Sequence, residues 1–497
     1  MLKQSLTLRY VFSATIGLLI LLAGKGSCKT LPTGFVGLEK ETGVWWFKTP
    51  AGKQFLSIGA NHIEPSYWQS PSNSAFVLKT YGAGLFSPDG VFQDGSPAAE
   101  KWGRRVATNF NNWGFNTFGF HNPLSKSLHA AGPAYYVVVL EVPVPWGWNM
   151  PRSTLVRAFK RNPVDVFSDA FTKAVKSNAA ATVQAYANDP RVLGYAYTDG
   201  PPWTVDDDPG EAAYQALSVA GKTIHPWVFA LMARPAEAKG KQAWVALLKE
   251  RYASPEKAAA TYACAASTWD ELASKTVWTS LADTAKATED SQAFLLKAMR
   301  QWYAVRKNAI REFDQNHLIL GDKLNMNRDS KYPGPLIQSL NLMKDYVDVI
   351  TLQYYGAFEQ QRDTLALIYK TTQKPILNGD TTRNPLWVDS PPGATACYDQ
   401  LGKIYADDIV KLFSLPYYIG WHHCGYMRGL RQPYIEALKR GDQKTVEFYV
   451  KSKHVYREGF VSEFEEPLGS FVNPLSRALA NCEKIHRAAG APRDQTK

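Results

Sequence analysis

The chain has 497 residues, of which 45% are hydrophobic and 20% charged, with 15 Trp, 25 Tyr and 23 Phe. That composition buries a large core and excludes extended disorder, collagen, coiled coils and low-complexity chains. The length exceeds the roughly 100–200 residues of an average domain but suits one (β/α)-barrel with insertions. The net charge is +11, or +8 once the N-terminal Lys3, Arg9 and Lys25 are set aside. No Lys/Arg cluster or nucleic-acid motif accompanies it, so no nucleic-acid partner is expected. The basic surface fits an acidic polysaccharide or serves solubility alone.

Residues 1–28 carry Lys3 and Arg9, an apolar run over 11–24, and then Gly26, Ser27 and Cys28. This order describes a secretory signal peptide and places the mature protein outside the cytoplasm, secreted or periplasmic. The fourteen-residue run falls short of the roughly 20 residues that span a bilayer, and no transmembrane segment is expected. Cys28 is also a candidate lipoprotein anchor, although Lys25 stands where such a signal carries an apolar residue. Four cysteines follow, Cys264, Cys397, Cys424 and Cys482, without paired metal-ligand spacing. One disulfide and buried free thiols both remain open.

Residues 43–47, a Thr-Pro-Ala-Gly-Lys turn and residues 55–59 predict an N-terminal β-hairpin whose second strand opens the main domain. Strand-like runs then recur at 55–59, 117–120, 135–140, 192–197, 318–321, 347–352, 375–377 and 418–421. Amphipathic helices lie between them, clearest over 166–175 and 294–313. Eight alternating units over about 370 residues predict an α/β fold, a closed (β/α)8 TIM barrel. An open doubly wound sheet would use fewer strands and a Gly-rich phosphate turn. The long gap over about 203–290 carries helical segments at 242–251 and 255–264 and predicts a helical insertion after strand four, a lid or subdomain. A last helix near 474–488 completes the outer ring, so one domain spans 43–490.

Barrel enzymes work at the C-terminal ends of their strands. Those positions hold Asn61, His62 and Glu64, then His121 and Asn122, Glu141, and Asp199. They continue with Asp322, Asn325 and Asn327, then Gln353, Tyr354 and Tyr355, Asp380, and finally Trp421, His422 and His423. A ring of carboxylates, amides, histidines and aromatics suits hydrolysis of a glycosidic bond, which needs one acid for the leaving oxygen and one carboxylate to attack or to activate water. A lone strand-end carboxylate is equally a structural ion-pair partner. Trp68, Trp146, Trp148, Trp203 and Trp387 offer flat faces for sugar rings or fill the core. His422 and His423, as neighbours on a strand, point to opposite faces, so neither a metal site nor a cofactor is expected.

Six stretches then carry a family resemblance: GVWWFKTPAGKQFLSIGANH at 43–62, WGFNTFG at 113–119, RVLGYAYTDGPPW at 191–203, NHLILG at 316–321, KPILNGD at 374–380 and GWHHCGY at 420–426. Together they resemble secreted agarases of glycoside hydrolase family 50 and, more loosely, the barrel β-galactosidases of family 42. The stretch 244–272 is similar to the helical region after strand four of the latter. The resemblance implies a red-algal galactan as substrate, agarose or a sulfated relative such as carrageenan or furcellaran.

In those families strand four ends in Asn-Glu, the Glu being the acid/base, and strand seven ends in the nucleophilic Glu. Here the first pair falls on Asp199 and Gly200 and the second Glu on Asp380. The resemblance therefore implies an Asp/Asp pair, with Asp380 as general base or nucleophile and Asp199 as general acid. Glu141 substitutes if Asp199 faces the barrel wall. Shorter side chains leave room for a water and favour inversion. The alternative is a non-catalytic carbohydrate-binding barrel. A strand-six Tyr on the strand-seven carboxylate maps to Tyr354 or Tyr355, and the strand-eight Trp of the substrate floor maps to Trp421. The expected substrate-binding set is His62, His121, Asn122, Trp203, Asn325, Tyr354, Tyr355, Arg383, Trp421, His422 and Arg428. Lys323, Arg328, Arg383, Arg428 and Arg431 follow strands five, seven and eight, where they either bind sulfate oxygens or pair with nearby carboxylates.

Overall fold

In the computed structural model, residues 34–63, 73–122, 124–132, 134–140, 164–199, 224–383, 395–427, 437, 439–444, 446–447, 459–462 and 464–490 are described, with backbone alone at 199, 226 and 395–400. The chain enters through three antiparallel strands, β1 (Gly37–Glu41), β2 (Val44–Lys48) and β3 (Gln54–Phe55). Thr42 and Gly43, with φ of 49° and 89°, make the two-residue turn between β1 and β2. Both central residues of such a turn need positive φ. β1 extends the expected hairpin: its GLEKE sequence has no apolar alternation, as befits an edge strand carrying charge.

β3 leads into β4 (Ser57–Ala60), the first barrel strand. β5 (Thr117–Phe118), β6 (Tyr135–Val139), β7 (Val192–Asp199), β8 (Ile319–Asn325), β9 (Ile350–Gln353), β10 (Ile376–Thr381) and β11 (Tyr418–His423) follow in parallel. β11 closes on β4, from Gly420 beside Ser57 to His423 beside Ala60, and all eight expected strands are present. The outer layer comprises α1 (Ser74–Tyr81), α2 (Pro97–Trp113), α3 (Lys126–Ala130), α4 (Asp169–Tyr186), α5 (Pro226–Met232), α6 (Lys239–Arg251), α7 (Pro255–Thr261), α8 (Trp269–Ser274), α9 (Thr284–Phe313), α10 (Met326–Asp329), α11 (Pro333–Met343), α12 (Phe358–Thr372), α13 (Thr395–Phe413) and α14 (Gly469–Ala488). Local chemistry sets their ends. Ser96 caps α2 ahead of Pro97, and Gly114 stops it in the left-handed region. None of the described helices is long and apolar enough to cross a membrane.

The expected insertion after strand four forms a helical subdomain, α5 to α8, resting on α9. Trp244, Tyr262 and Trp278 pack edge to face with centroids 5.2–5.5 Å apart. Lys241 lies buried over both indoles and donates to the carbonyls of Met232 and Lys275. Asp290 of α9 gathers Arg251, Tyr252 and Tyr262 at 2.5, 2.5 and 3.0 Å. Cys264, Cys424 and Cys482 are free thiols.

At the end where strands begin, the His486 ring of α14 lies between the Phe413 carbonyl, 2.8 Å from Nδ1, and the Trp45 carbonyl, 2.8 Å from Nε2, and burial keeps it neutral, so that it donates to one of the two. The N-terminal sheet, α13 and α14 are thereby joined. Gly402 lets α13 and α14 touch, because a Cβ there would lie 2.4 Å from the Ser470 carbonyl. His486→Ala should leave one of these carbonyls without its donor, remove the packing of the ring, and lower unfolding stability by roughly 1–3 kcal/mol. Denaturant unfolding checks this, and a loss under about 0.5 kcal/mol would remove the staple from the account.

Candidate active site

Gly321 has φ 69° in the middle of β8, and the register against β7 slips on both sides of Ala196. A left-handed residue there breaks the two-residue alternation of a strand. Beyond it Asp322 faces the helices, accepting from Trp302 Nε1 at 3.0 Å, and Lys323 faces the barrel axis. β10 repeats the device: its register against β9 slips between Asn378 and Asp380. Asn378 turns outward to the Tyr354 backbone and Gln361, while Asp380 turns inward.

The two inward residues meet. Lys323 Nζ donates to Asp380 Oδ2 at 2.6 Å and to His121 Nε2 at 2.7 Å. His121 Nε2 stands 3.8 Å from the same carboxylate oxygen. The Lys323 side chain is 0% exposed and that of Asp380 4%. An ammonium has donors only, so His121 Nε2 accepts and its Nδ1 carries the hydrogen. The Phe120 ring lies 5.2 Å from Nζ. It fits against β10 because Gly379 has no Cβ, which would fall 2.6 Å from the ring. His62 stacks on His121 with centroids 4.7 Å apart, and the two histidines hold φ of 51° and 58°. Non-glycine residues in that region store strain and cluster at functional sites.

Below this layer, Asn61 donates to the Gly379 carbonyl at 2.8 Å. His422 Nε2 shares a 2.8 Å bond with Ser57, which in turn meets Thr117. Burial pushes the His422 pKa down to about 3, against the pull of Asp380, with Lys323 adding to the fall. On the other side of β8, burial raises Asp322 to about 6, opposed by Arg306. Arg306 itself falls to about 10 by burial, stacked 3.8 Å over Trp302.

The structure brings together His62, His121, Lys323 and Asp380, and the Cα atoms of Asn325, at the end of β8, and of Asp380 both pair with that of Gln353. Tyr355 OH accepts from Gln353 Nε2 at 2.6 Å, and the Gln353 Cα pairs with that of Asp380. Tyr354 points away, its hydroxyl on the Gln360 carbonyl and Thr364 at 3.0 and 3.2 Å. Of the two tyrosines, Tyr355 is the one bonded to Gln353, the residue paired with Asp380 across the sheet.

Asn122 spends its amide on backbone, accepting from Ile63 and donating to the carbonyls of Ala60 and Gly119. Trp421 does not form a floor for substrate: alternation along β11 turns it outward, where it is 1% exposed against Phe115, Tyr405 and His423. His422 faces inward but is fully buried. Each placed cation is engaged by an aspartate: Lys323 by Asp380, Arg328 by Asp329 and Arg383 by Asp408.

Asp199 ends β7 with its Cα paired to that of Lys323. Its side chain lies outside the described residues, as do Glu64, Glu141, Trp68, Trp146, Trp148, Trp203, Trp387, Arg428 and Arg431. Phe120, the end of a predicted strand, is not among the expected site residues, yet its ring faces Lys323. Of the two readings of Lys323, pairing with a carboxylate is the one the structure shows, and the signal that turns it inward is a glycine inside a strand just before two charges. Among the described residues no three His, Cys, Asp or Glu side chains converge as metal ligands.

No protein-family model matches the sequence, and no curated protein does. Solved structures do match. An agarase superposes with a TM-score of 0.66 at 16% identity, over 91% of this chain and 66% of the agarase. An exo-β-agarase gives 0.64 at 18% identity, over 92% and 66% of the two chains. A protein named BpGH50 gives 0.57 at 14% identity, over 93% and 85%. The chain thus spans just under two thirds of the length of the two agarases, and the likeness is one of fold.

Two outcomes follow from this geometry. Gly321→Ala puts a side chain at φ 69° with its Cβ 2.4 Å from Val347 Cγ1, so thermal unfolding should show a loss of roughly 1–3 kcal/mol. An unchanged midpoint would mean that β8 relaxes without the bulge. His422 supplies the second. The folded protein resists protonating it until about pH 3, whereas an unfolded histidine protonates near 6.5. The unfolded chain therefore binds more protons between these values, and stability falls as pH drops through that window, by up to about 1.4 kcal/mol per unit. His422→Gln should flatten the decline between about pH 6.5 and 4.5, and equal slopes would assign the decline to other groups.

Proposed function

We propose that this chain is a glycoside hydrolase that cleaves a red-algal galactan of the agarose type. The observation that carries the reading is Asp380, a buried carboxylate ending the seventh strand of a barrel that shares its fold with an agarase and an exo-β-agarase. In this reading Asp380 removes a proton from the water that attacks the anomeric carbon. Asp199, or Glu141, gives a proton to the glycosidic oxygen as the bond breaks, and the product leaves with inverted configuration. Inversion requires the two carboxyl groups to stand roughly 6.5–9.5 Å apart rather than the roughly 5–5.5 Å of a retaining pair.

A neutral polymer is favoured over a sulfated one, because Lys323, Arg328 and Arg383 already face aspartates and a sulfate would have to displace them. Carrageenan and furcellaran are the weaker candidates. Residues 1–28, as a secretory signal, deliver the enzyme outside the cytoplasm, where such polymers lie. One observation favours a second reading, a sugar-binding barrel without turnover: the Lys323 ammonium sits on one oxygen of the carboxylate that must react.

Reducing-end release from agarose and sulfated galactans separates the two. The wild type should release new ends from agarose, and Asp380→Asn should lower that rate by roughly 10²–10⁴-fold while keeping agarose binding. Binding without any new ends would select the second reading. Nuclear magnetic resonance of the first-formed anomer tests inversion, and a retained anomer would make Asp380 the nucleophile.

A further inference from the structure

We infer that Lys323 is the positioning residue of this site: shared between Asp380 and His121, its ammonium holds the carboxylate ionised and aimed at the barrel axis and fixes His121 as the Nδ1-protonated tautomer. The inference rests on the proposed role of Asp380 as the reacting carboxylate. A single side chain with no exposed surface ties together three strand ends. It leaves β8, crosses the end of β9 to Asp380 on β10, and meets His121 beyond β5, with bonds of 2.6 and 2.7 Å.

Among the described residues, the charged and titratable groups placed against Asp380 are Lys323 from β8, His121 from the loop after β5 and His422 from β11, while the Cα of Gln353 on β9 pairs with that of Asp380. Burial keeps His422 neutral, so Lys323 supplies the positive charge. Beside an ammonium a carboxylate stays ionised to lower pH. Removing that charge from a buried site makes the carboxylate take up a proton earlier as pH falls. His121 responds too. Without Lys323 its Nε2 can carry the hydrogen and donate to Asp380, 3.8 Å away.

The test compares the full-length wild type, Lys323→Arg and Lys323→Met on agarose-derived oligosaccharides, with circular dichroism confirming folding. Lys323→Met should lower kcat by roughly 10²-fold and move the acid limb of kcat/KM upward by about one pH unit or more, while Lys323→Arg leaves that limb in place. A folded Lys323→Met protein with an unmoved limb overturns the inference, since a merely structural lysine would change stability and kcat alone. Nitrogen-15 resonance of His121 gives a second readout, independent of turnover. It should show the Nδ1–H tautomer in wild type and Nε2–H in Lys323→Met, and Nε2–H in wild type overturns the inference. If the wild type releases no reducing ends, the proposed hydrolase activity fails, and the wild-type tautomer alone then decides whether Lys323 orders the site.

Discussion

An ammonium buried in a barrel mouth and a carboxylate buried beside it are each intolerable alone. Desolvation costs several kcal/mol per ion, and removing one partner of such a pair typically costs about 3–5 kcal/mol, because the other charge is left stranded. Lys323 and Asp380 therefore require each other, and the rest of the mouth is arranged to let them meet. The glycine at 321 turns Lys323 inward, the slip before Asp380 does the same on β10, and Gly379 makes space for Phe120 under the lysine. Two strained histidines complete the wall, His121 on the lysine and His62 on His121.

Those bulges also explain how far the sequence could be read. Eight strands, the helical insertion and the closed barrel were legible because apolar runs alternate with helical periods and glycine or proline marks the turns. β1 was not, since a charged edge strand has no apolar pattern. Side-chain direction was legible only where alternation is unbroken. On β11 the two-residue rule applies, and it sends Trp421 outward and His422 inward. On β8 and β10 the rule fails at the residues that matter, and no count from the start of either strand places Asp322, Lys323 or Asp380 on its face.

The outward side of β8 has its own logic. Asp322 holds Trp302 of α9, and Arg306 one turn further stacks on that indole and reaches the Leu140 carbonyl at the end of β6. The same helix carries Asp290, which anchors the helical subdomain. One strand thus fixes the mouth with its lysine and the long helix with its aspartate. The helix passes that rigidity to the subdomain. A sequence neighbour pair of opposite charge does two jobs because the bulge separates their faces.

The short carboxylate and the lysine act together. A glutamate nucleophile must bring an oxygen close to the anomeric carbon, which needs reach and an available lone pair. An aspartate reaches about one methylene less, and in Asp380 one oxygen is occupied by an ammonium at 2.6 Å. Both features weaken direct attack. Neither prevents a carboxylate from orienting a water and taking its proton, since a water bridges the missing distance and the fixed oxygen sets the direction of the other. Under the proposed function, the short reach of Asp380 and the buried lysine act in one direction, away from a covalent glycosyl intermediate and toward activated water.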